Sequence, residues 1–235
     1  MAELSSETHA SSLPVINFDT LLPQPETLKR HRELLPNNVR ALVCGPSGCG
    51  KTNALLTLIT HPNALRFENM YIYSKSLSQA KYQLLQQILA GVDGVGYFPI
   101  QSQDQVIPPE EARANSLMIF DDLAVSEKQN NVRDYFCRGR HQRVDCFYLC
   151  QTYTHIPKHL VRDNANVLII FKQDDMNLRH IFHDHVNPDM SFQQFREICY
   201  SCWPNHGFLF IDKDREHGRY RKNFDCFIAI KGDTA

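Results

Sequence analysis

GPSGCGKT, at residues 45–52, is the most informative stretch of this 235-residue chain. Its spacing is Gly-x-x-x-x-Gly-Lys-Thr, in which the glycines let the backbone wrap closely around an anion with its N–H groups pointing inward. An apolar run at residues 39–44 precedes the loop, and a helical pattern continues from it to residue 60. A strand, a glycine-rich turn and a helix in this order predict a phosphate-binding loop.

The loop and a later strand end together predict a site for ATP and Mg²⁺. Lys51 is placed to reach the β- and γ-phosphates, and Thr52 offers a hydroxyl to Mg²⁺. Asp121 follows an apolar strand, residues 116–120, where the metal-side carboxylate of such proteins belongs. The adjacent Asp122 can polarise the attacking water. The predicted nucleotide-binding residues are Gly45, Pro46, Ser47, Gly48, Cys49, Gly50, Lys51, Thr52 and Asn53, and the predicted metal ligands are Thr52 and Asp121.

Strands alternate with helices along the rest of the chain. The predicted strands are 39–44, 70–74, 116–120, 145–150, 167–171, 207–212 and 224–230, and the predicted helices are 52–60, 78–89, 126–137, 176–183 and 192–202. This alternation predicts an α/β fold with a mainly parallel central sheet flanked by helices, and an antiparallel C-terminal pair of strands. The highly charged connection at 213–222 is expected to be a solvated loop or hairpin tip.

Two features refine the fold class and the domain organisation. The strand at 70–74 lies between the phosphate loop and Asp121 along the chain, which indicates the additional-strand branch of P-loop NTPases. Residues 1–38 contain four prolines among polar residues, which predicts a largely irregular N-terminal arm. The ATPase domain is therefore predicted to span residues 39–235.

The amino-acid composition limits the binding partners and the cellular compartment that are expected for this protein. The net charge is −1, so any contact with DNA must be a local patch rather than a basic surface. No apolar stretch approaches the roughly 20 residues that span a bilayer, and residues 1–14 lack a signal-peptide pattern. We therefore expect a protein that is neither secreted nor membrane-spanning.

The eight cysteines are expected to be reduced thiols. Cys199, Cys202 and His206 form a metal-like cluster, but a structural zinc site needs four ligands and a fourth is not evident nearby. Packing of the two cysteines in a helix is the favoured interpretation.

In the combination of these motifs, the sequence resembles the FtsK–HerA superfamily. It more closely resembles the genome-packaging ATPases of poxviruses, other large DNA viruses and the polinton or adintovirus group. The resemblance is carried by segments 44–52, 117–123, 138–141 and 150–153, in that order, and covers about residues 39–170. The order of phosphate loop, Asp-Asp pair, arginine-rich turn and strand-end glutamine is more specific than the loop alone.

The resemblance implies roles for the site residues. Lys51 and Thr52 take the phosphate and metal roles, Asp121 coordinates Mg²⁺, Asp122 is the base and Gln151 is the γ-phosphate sensor. The wider superfamily more often has glutamate at the position of Asp122.

The resemblance also implies partners and a location. Members form homo-oligomeric rings, here of five or six subunits, that drive double-stranded DNA into a capsid, so a capsid or portal protein is an expected partner. The expected location is the site of virion assembly in the host cell. An arginine from the neighbouring subunit completes each site; Arg140 is the first choice, and Arg138, Arg143 and Arg162 are the alternatives. Lys158 is a candidate contact to DNA.

Three other functions stay open at this point. Another DNA pump of the superfamily would usually carry membrane spans or additional DNA-binding modules. A small nucleotide or metabolite kinase would need an acceptor pocket beneath an arginine-rich lid. A nucleotide-bound assembly protein without turnover would not need intact catalytic residues.

Overall fold

The computed structural model describes residues 30–121, residue 123 and residues 130–230. Most of the predicted arm and Asp122 therefore lie outside the described residues. The strands are β1 (Arg40–Cys44), β2 (Asn69–Ser74), β3 (Gly96–Ile100), β4 (Ser116–Asp121), β5 (Val144–Cys150), β6 (Val167–Ile170), β7 (Leu209–Asp212), β8 (Tyr220–Lys222) and β9 (Cys226–Phe227). The helices of seven or more residues are α1 (Lys51–Thr60), α2 (Ala80–Ala90), α3 (Asn130–Arg138), α4 (Asp175–Ile181) and α5 (Phe192–Cys202).

The strands form one mixed sheet in the order β3-β2-β4-β5-β1-β6-β7-β8-β9. The pairings from β3 to β6 are parallel, and the pairings from β6 to β9 are antiparallel. The predicted mainly parallel sheet with antiparallel C-terminal strands is confirmed. A strand also intervenes between β1 and β4 in the sheet, as the additional-strand class requires. This strand is β5. The strand on which the prediction was based, β2, lies on the other side of β4.

Alternating side chains of each strand pack on opposite faces of the sheet, as the two-residue period of a strand requires. In β1, Ala41 and Val43 pack in one apolar cluster, and Leu42 and Cys44 pack in the other. Helices α1 and α2 cover the first face, and α3, α4 and α5 cover the second. Because both faces are covered, the central strands read as continuous apolar runs in the sequence.

The sequence did not reveal β3. It contains Gly96 and Pro99, two residues that weaken any strand prediction, and it forms the edge of the sheet next to β2. A proline is tolerated there because an edge strand needs hydrogen bonds on one side only.

The charged C-terminal connection is less solvated than predicted. Residues 220–222 of the predicted solvated segment 213–222 form β8, which is the strand that pairs with β7. Arg221 in β8 is fully buried, with Nη2 3.0 Å from the Leu34 carbonyl oxygen and its guanidinium 4.3 Å above the Phe210 ring. The strand predicted at 224–230 is reduced to β9, which has two residues.

The amino-terminal edge of the parallel sheet is tied together by a buried carboxylate. Asp145 in β5 accepts a hydrogen bond from the Val39 backbone N–H at 2.8 Å. His31 Nε2 and Arg30 Nη2 lie 2.9 and 3.1 Å from the same carboxylate. Residues 30–38 of the predicted arm therefore include a segment that packs on the domain.

The structure also bears on membranes and metals. Among the described residues, no helix is long and apolar enough to span a membrane. In the same part of the chain, no group of three or more His, Cys, Asp and Glu residues is placed to hold a metal ion. Cys199 and Cys202 lie on the buried face of α5 within the core, whereas His206 is exposed.

Candidate functional site

The phosphate loop connects β1 to α1 at the carboxyl end of the sheet. Gly50 caps α1 with φ 116°, a conformation that favours glycine, and no side chain caps the helix. The free N–H groups of the first helical turn and the helix dipole therefore face the loop and favour an anion there. Gly45 is tightly enclosed, because a Cβ atom at this position would lie 2.6 Å from both Cys49 Sγ and Phe171 Cβ.

Lys51 extends back across the loop. Its Nζ donates hydrogen bonds to the carbonyl oxygens of Gly45 at 2.6 Å and Pro46 at 3.1 Å. The ammonium group is therefore held within the loop, close to the backbone that would surround a phosphate. This position suits contact with the β- and γ-phosphates.

Asp121 ends β4 beside the loop. Its carboxylate accepts a hydrogen bond from the Tyr82 hydroxyl of α2. The Thr52 side chain lies beside the same phenol. The predicted metal ligands Thr52 and Asp121 thus lie beside one buried tyrosine, which the sequence prediction did not identify. Asp122, the predicted base, lies outside the described residues.

A cavity of about 550 Å³ brings seven of the predicted site residues together. From the predicted set it is lined by Ser47, Gly48, Gly50, Lys51, Thr52, Asp121 and Gln151. The sequence prediction missed other lining residues, including Ser76, Gln79, Lys81 and His155. These residues follow β2 or β5, and the carboxyl ends of parallel strands meet at one edge of a sheet, so strand order could have revealed them. Asn53, by contrast, is exposed on α1 and is not among the lining residues.

Gln151 follows β5 and is placed next to the phosphate loop by the sheet. The Gly45 backbone N–H donates a hydrogen bond to the Cys150 carbonyl oxygen at 3.1 Å. The Gln151 side chain is exposed and lines the cavity. A polar amide in this position can contact a γ-phosphate or an attacking water.

The loop after Gln151 is fastened to a buried polar cluster. The Tyr153 hydroxyl lies 2.9 Å from Asp184 Oδ2 and 2.8 Å from His185 Nε2. Arg162 Nη1 lies 2.8 Å from the same Asp184 oxygen, and Lys213 Nζ lies 3.3 Å from His185 Nδ1. Burial, together with the nearby Lys213 charge, lowers the pKa of His185 to about 3, so this imidazole is neutral at physiological pH.

The four candidate arginines differ in their surroundings. Arg140 and Arg143 are exposed in the turn before β5, at the opposite edge of the sheet from the phosphate loop. The seven residues of β5 separate this turn from Gln151, which corresponds to about 20 Å. Arg138 is exposed and paired with Glu110 and Asp134. Arg162 is 9% exposed and paired with Asp184.

Lys158, the candidate DNA contact, lies in a short helical turn, Lys158–Arg162. Its Nζ is 3.5 Å from Asp184 Oδ1, and half of the side chain is exposed.

Comparison with known proteins confirms the resemblance that the motifs indicate. The model of the poxvirus A32 protein family matches residues 97–191, a range that contains Asp121, Arg140 and Gln151. A search among curated protein sequences finds no match.

Solved structures share the fold. The genome-packaging NTPase B204 from Sulfolobus turreted icosahedral virus 2, in complex with sulfate, is 12% identical, with a TM-score of 0.52 over 75% of this chain and 92% of that chain. The same NTPase in complex with ATP-γS is 11% identical, with a TM-score of 0.53 over 81% and 98% of the two chains. At this identity the similarity establishes the P-loop NTPase fold.

Proposed function

Because this chain resembles the poxvirus A32 family over residues 97–191 and viral genome-packaging NTPases in fold, we propose that it is an ATP-hydrolysing motor subunit that moves double-stranded DNA into a viral capsid. The observation that most supports this proposal is the convergence of the phosphate loop, Asp121 and Gln151 on one cavity. These groups match the tasks of phosphate binding, metal binding and water orientation in ATP hydrolysis.

Mg²⁺ suits the donor set at the junction of α1 and β4. The Thr52 hydroxyl and the Asp121 carboxylate are hard oxygen donors of the kind that Mg²⁺ prefers, and the ion usually retains several waters beside them. When bound, Mg²⁺ neutralises charge that develops on the β- and γ-phosphoryl oxygens.

The remaining chemistry is assigned to this chain's own side chains. Lys51 binds the β- and γ-phosphates from within the loop, and Gln151 orients the attacking water or senses the γ-phosphate. Asp122 accepts the proton of that water, an assignment that rests on the motif alone. Little covalent chemistry is required of the protein, because phosphoryl transfer is catalysed mainly by positioning and electrostatic stabilisation.

Turnover further requires a cation on the open side of the nucleotide. Arg140 lies about 20 Å from its own phosphate loop, across the length of β5, so it cannot complete its own site. We therefore assign Arg140 to the nucleotide of a neighbouring subunit in a ring of five or six copies. The pairing of Arg162 with buried Asp184 supports this choice over Arg162.

A packaging motor must accept any DNA sequence. We expect the contact with DNA to be dominated by backbone phosphates, so that affinity falls steeply with salt and changes little with sequence. In this proposal the ring acts with a capsid or portal protein at the site of virion assembly.

The proposal is tested by measuring steady-state phosphate release from ATP with Mg²⁺, alone and with added ligands. Double-stranded DNA of mixed sequence should stimulate release, whereas nucleoside monophosphates should neither stimulate release nor become phosphorylated. Phosphorylation of a small acceptor would instead indicate a kinase. Nucleotide binding without turnover, with or without DNA, would indicate an assembly protein.

A further inference from the structure

Tyr82 lies at the junction between the phosphate loop and the metal-side carboxylate. Its side chain is 1% exposed, and its hydroxyl donates a hydrogen bond to Asp121 Oδ2. The Thr52 side chain lies beside the same phenol. One hydroxyl group therefore contacts one of the two residues assigned to Mg²⁺ and lies beside the other.

The number of protons on the Tyr82 and Thr52 hydroxyls determines how the two groups can interact. A tyrosine hydroxyl carries a single proton at neutral pH. That proton is donated to Asp121, so the neighbouring Thr52 hydroxyl can interact with the phenol oxygen only as a donor. A Thr52 hydroxyl held in this way keeps its lone pairs available for a cation.

The apolar core holds the Tyr82 ring in place. Tyr82, Leu85 and Leu89 form the buried face of α2 and pack in the same apolar cluster as Leu55 of α1. Gln79, which precedes α2, and Lys81 line the cavity, but Tyr82 is not among the lining residues. Any influence of Tyr82 on the nucleotide must therefore act through Thr52 and Asp121.

We propose that Tyr82 is a positioning residue that orients the Thr52 hydroxyl and the Asp121 carboxylate for Mg²⁺. This inference rests on the proposed function, because it assumes that Thr52 and Asp121 are the metal-side residues of an ATP site. Tyr82 then has two separate roles. Its ring packs in the apolar core, and its hydroxyl orients the metal ligands. Partners that orient metal ligands typically contribute 10–100-fold to metal affinity.

The substitution that separates these roles is Tyr82→Phe, which keeps the ring and removes the hydroxyl. Tyr135→Phe is the matched control, because Tyr135 is also fully buried and its hydroxyl donates one hydrogen bond, to the Ile107 carbonyl oxygen at 3.0 Å. Tyr135 packs in the apolar cluster on the other face of the sheet.

The experiment measures binding of a fluorescent ATP analogue across a Mg²⁺ titration, and Mn²⁺ binding in the presence of nucleotide by electron paramagnetic resonance. Tyr82→Phe should raise the half-saturating concentration of both metals about 10–100-fold and leave metal-free nucleotide affinity unchanged. Tyr135→Phe should match the parent protein in every one of these measurements.

Two results would overturn the inference, and they are distinguishable. If the parent protein binds nucleotide in a metal-dependent manner and Tyr82→Phe matches it, Tyr82 has no positioning role while the proposed ATP site stands. If metal leaves nucleotide binding by the parent protein unchanged, the metal site of the proposed function fails together with the role of Tyr82.

Discussion

Arg162 Nη1 lies 2.8 Å from Asp184 Oδ2, and both side chains are largely shielded from solvent. Removing one partner of a buried ion pair typically costs about 3–5 kcal/mol. The lower value applies here, because Asp184 keeps the half-exposed Lys158 ammonium and the Tyr153 hydroxyl as partners. We therefore expect Arg162→Ala to lower the free energy of unfolding by about 3 kcal/mol. Arg140→Ala, at an exposed position, should change it by no more than about 0.5 kcal/mol. Urea denaturation of the two variants measures the difference, and similar stabilities would show that the Arg162 pair does not stabilise the fold.

His185 makes stability depend on pH in the acid range. Its pKa is lowered from 6.5 to about 3, first by burial and then by Lys213, so the folded protein excludes a proton that the unfolded chain binds. The contribution of His185 is therefore fully present above pH 6.5 and is lost progressively as the pH falls towards 3. The expected slope approaches 1.4 kcal/mol per pH unit below pH 6.

The pH prediction is checked by urea denaturation at several pH values between 7 and 4. His185→Gln should reduce the slope in this range, whereas His141→Gln, at an exposed position, should retain it. An unchanged slope in His185→Gln would mean that the imidazole is not the group responsible.

The enclosure of Gly45 predicts a loop that cannot accept a side chain. In Gly45→Ala the new methyl group would meet Cys49 Sγ and Phe171 Cβ at 2.6 Å, so the loop must shift. We expect nucleotide affinity to fall at least about tenfold, because the loop's N–H groups lose their alignment on the phosphates. Gly91→Ala is the control, since the nearest atom to its Cβ would be at 3.6 Å. If isothermal titration calorimetry gives the same nucleotide affinity for Gly45→Ala and the parent protein, the loop accommodates the added methyl group.

Mixing of two inactive variants tests whether Arg140 acts between subunits. Arg140→Ala and Lys51→Ala should each lose turnover, by about 10³-fold or more for an arginine that acts in trans. Mixed rings should recover activity, because a Lys51→Ala subunit can lend Arg140 to the intact loop of its neighbour. If rings that are shown to be mixed do not recover activity, Arg140 is not the arginine that acts in trans. The candidates are then Arg138, Arg143 and Arg162.

The elements that could be predicted from the sequence are those whose local residue pattern matches their environment in the fold. The strands β1, β4, β5 and β6 are buried on both faces and are continuous apolar runs, so their existence was readable from residue type alone. The phosphate loop was predicted because its glycines, Lys51 and Thr52 each meet a distinct chemical requirement of phosphate and metal binding. Asp121 was predicted because it ends one of these apolar runs.

The elements that escaped prediction depend on tertiary contacts. Pro99 is compatible with β3 only because that strand is at an edge, and Arg221 is buried only because Leu34, Phe210 and Asp212 surround it. Tyr82 resembled any other apolar position of an amphipathic helix. Its contact with Asp121 becomes visible only once α2 packs on the sheet.

The most direct test of the proposed ATPase is the turnover of Lys51→Ala beside the parent protein, with Lys222→Ala as a control for loss of positive charge in β8. We predict that the parent and Lys222→Ala hydrolyse Mg²⁺-ATP and are stimulated by double-stranded DNA, and that Lys51→Ala shows neither hydrolysis nor stimulation. Hydrolysis by purified Lys51→Ala at the rate of the parent protein would contradict the assignment of the site.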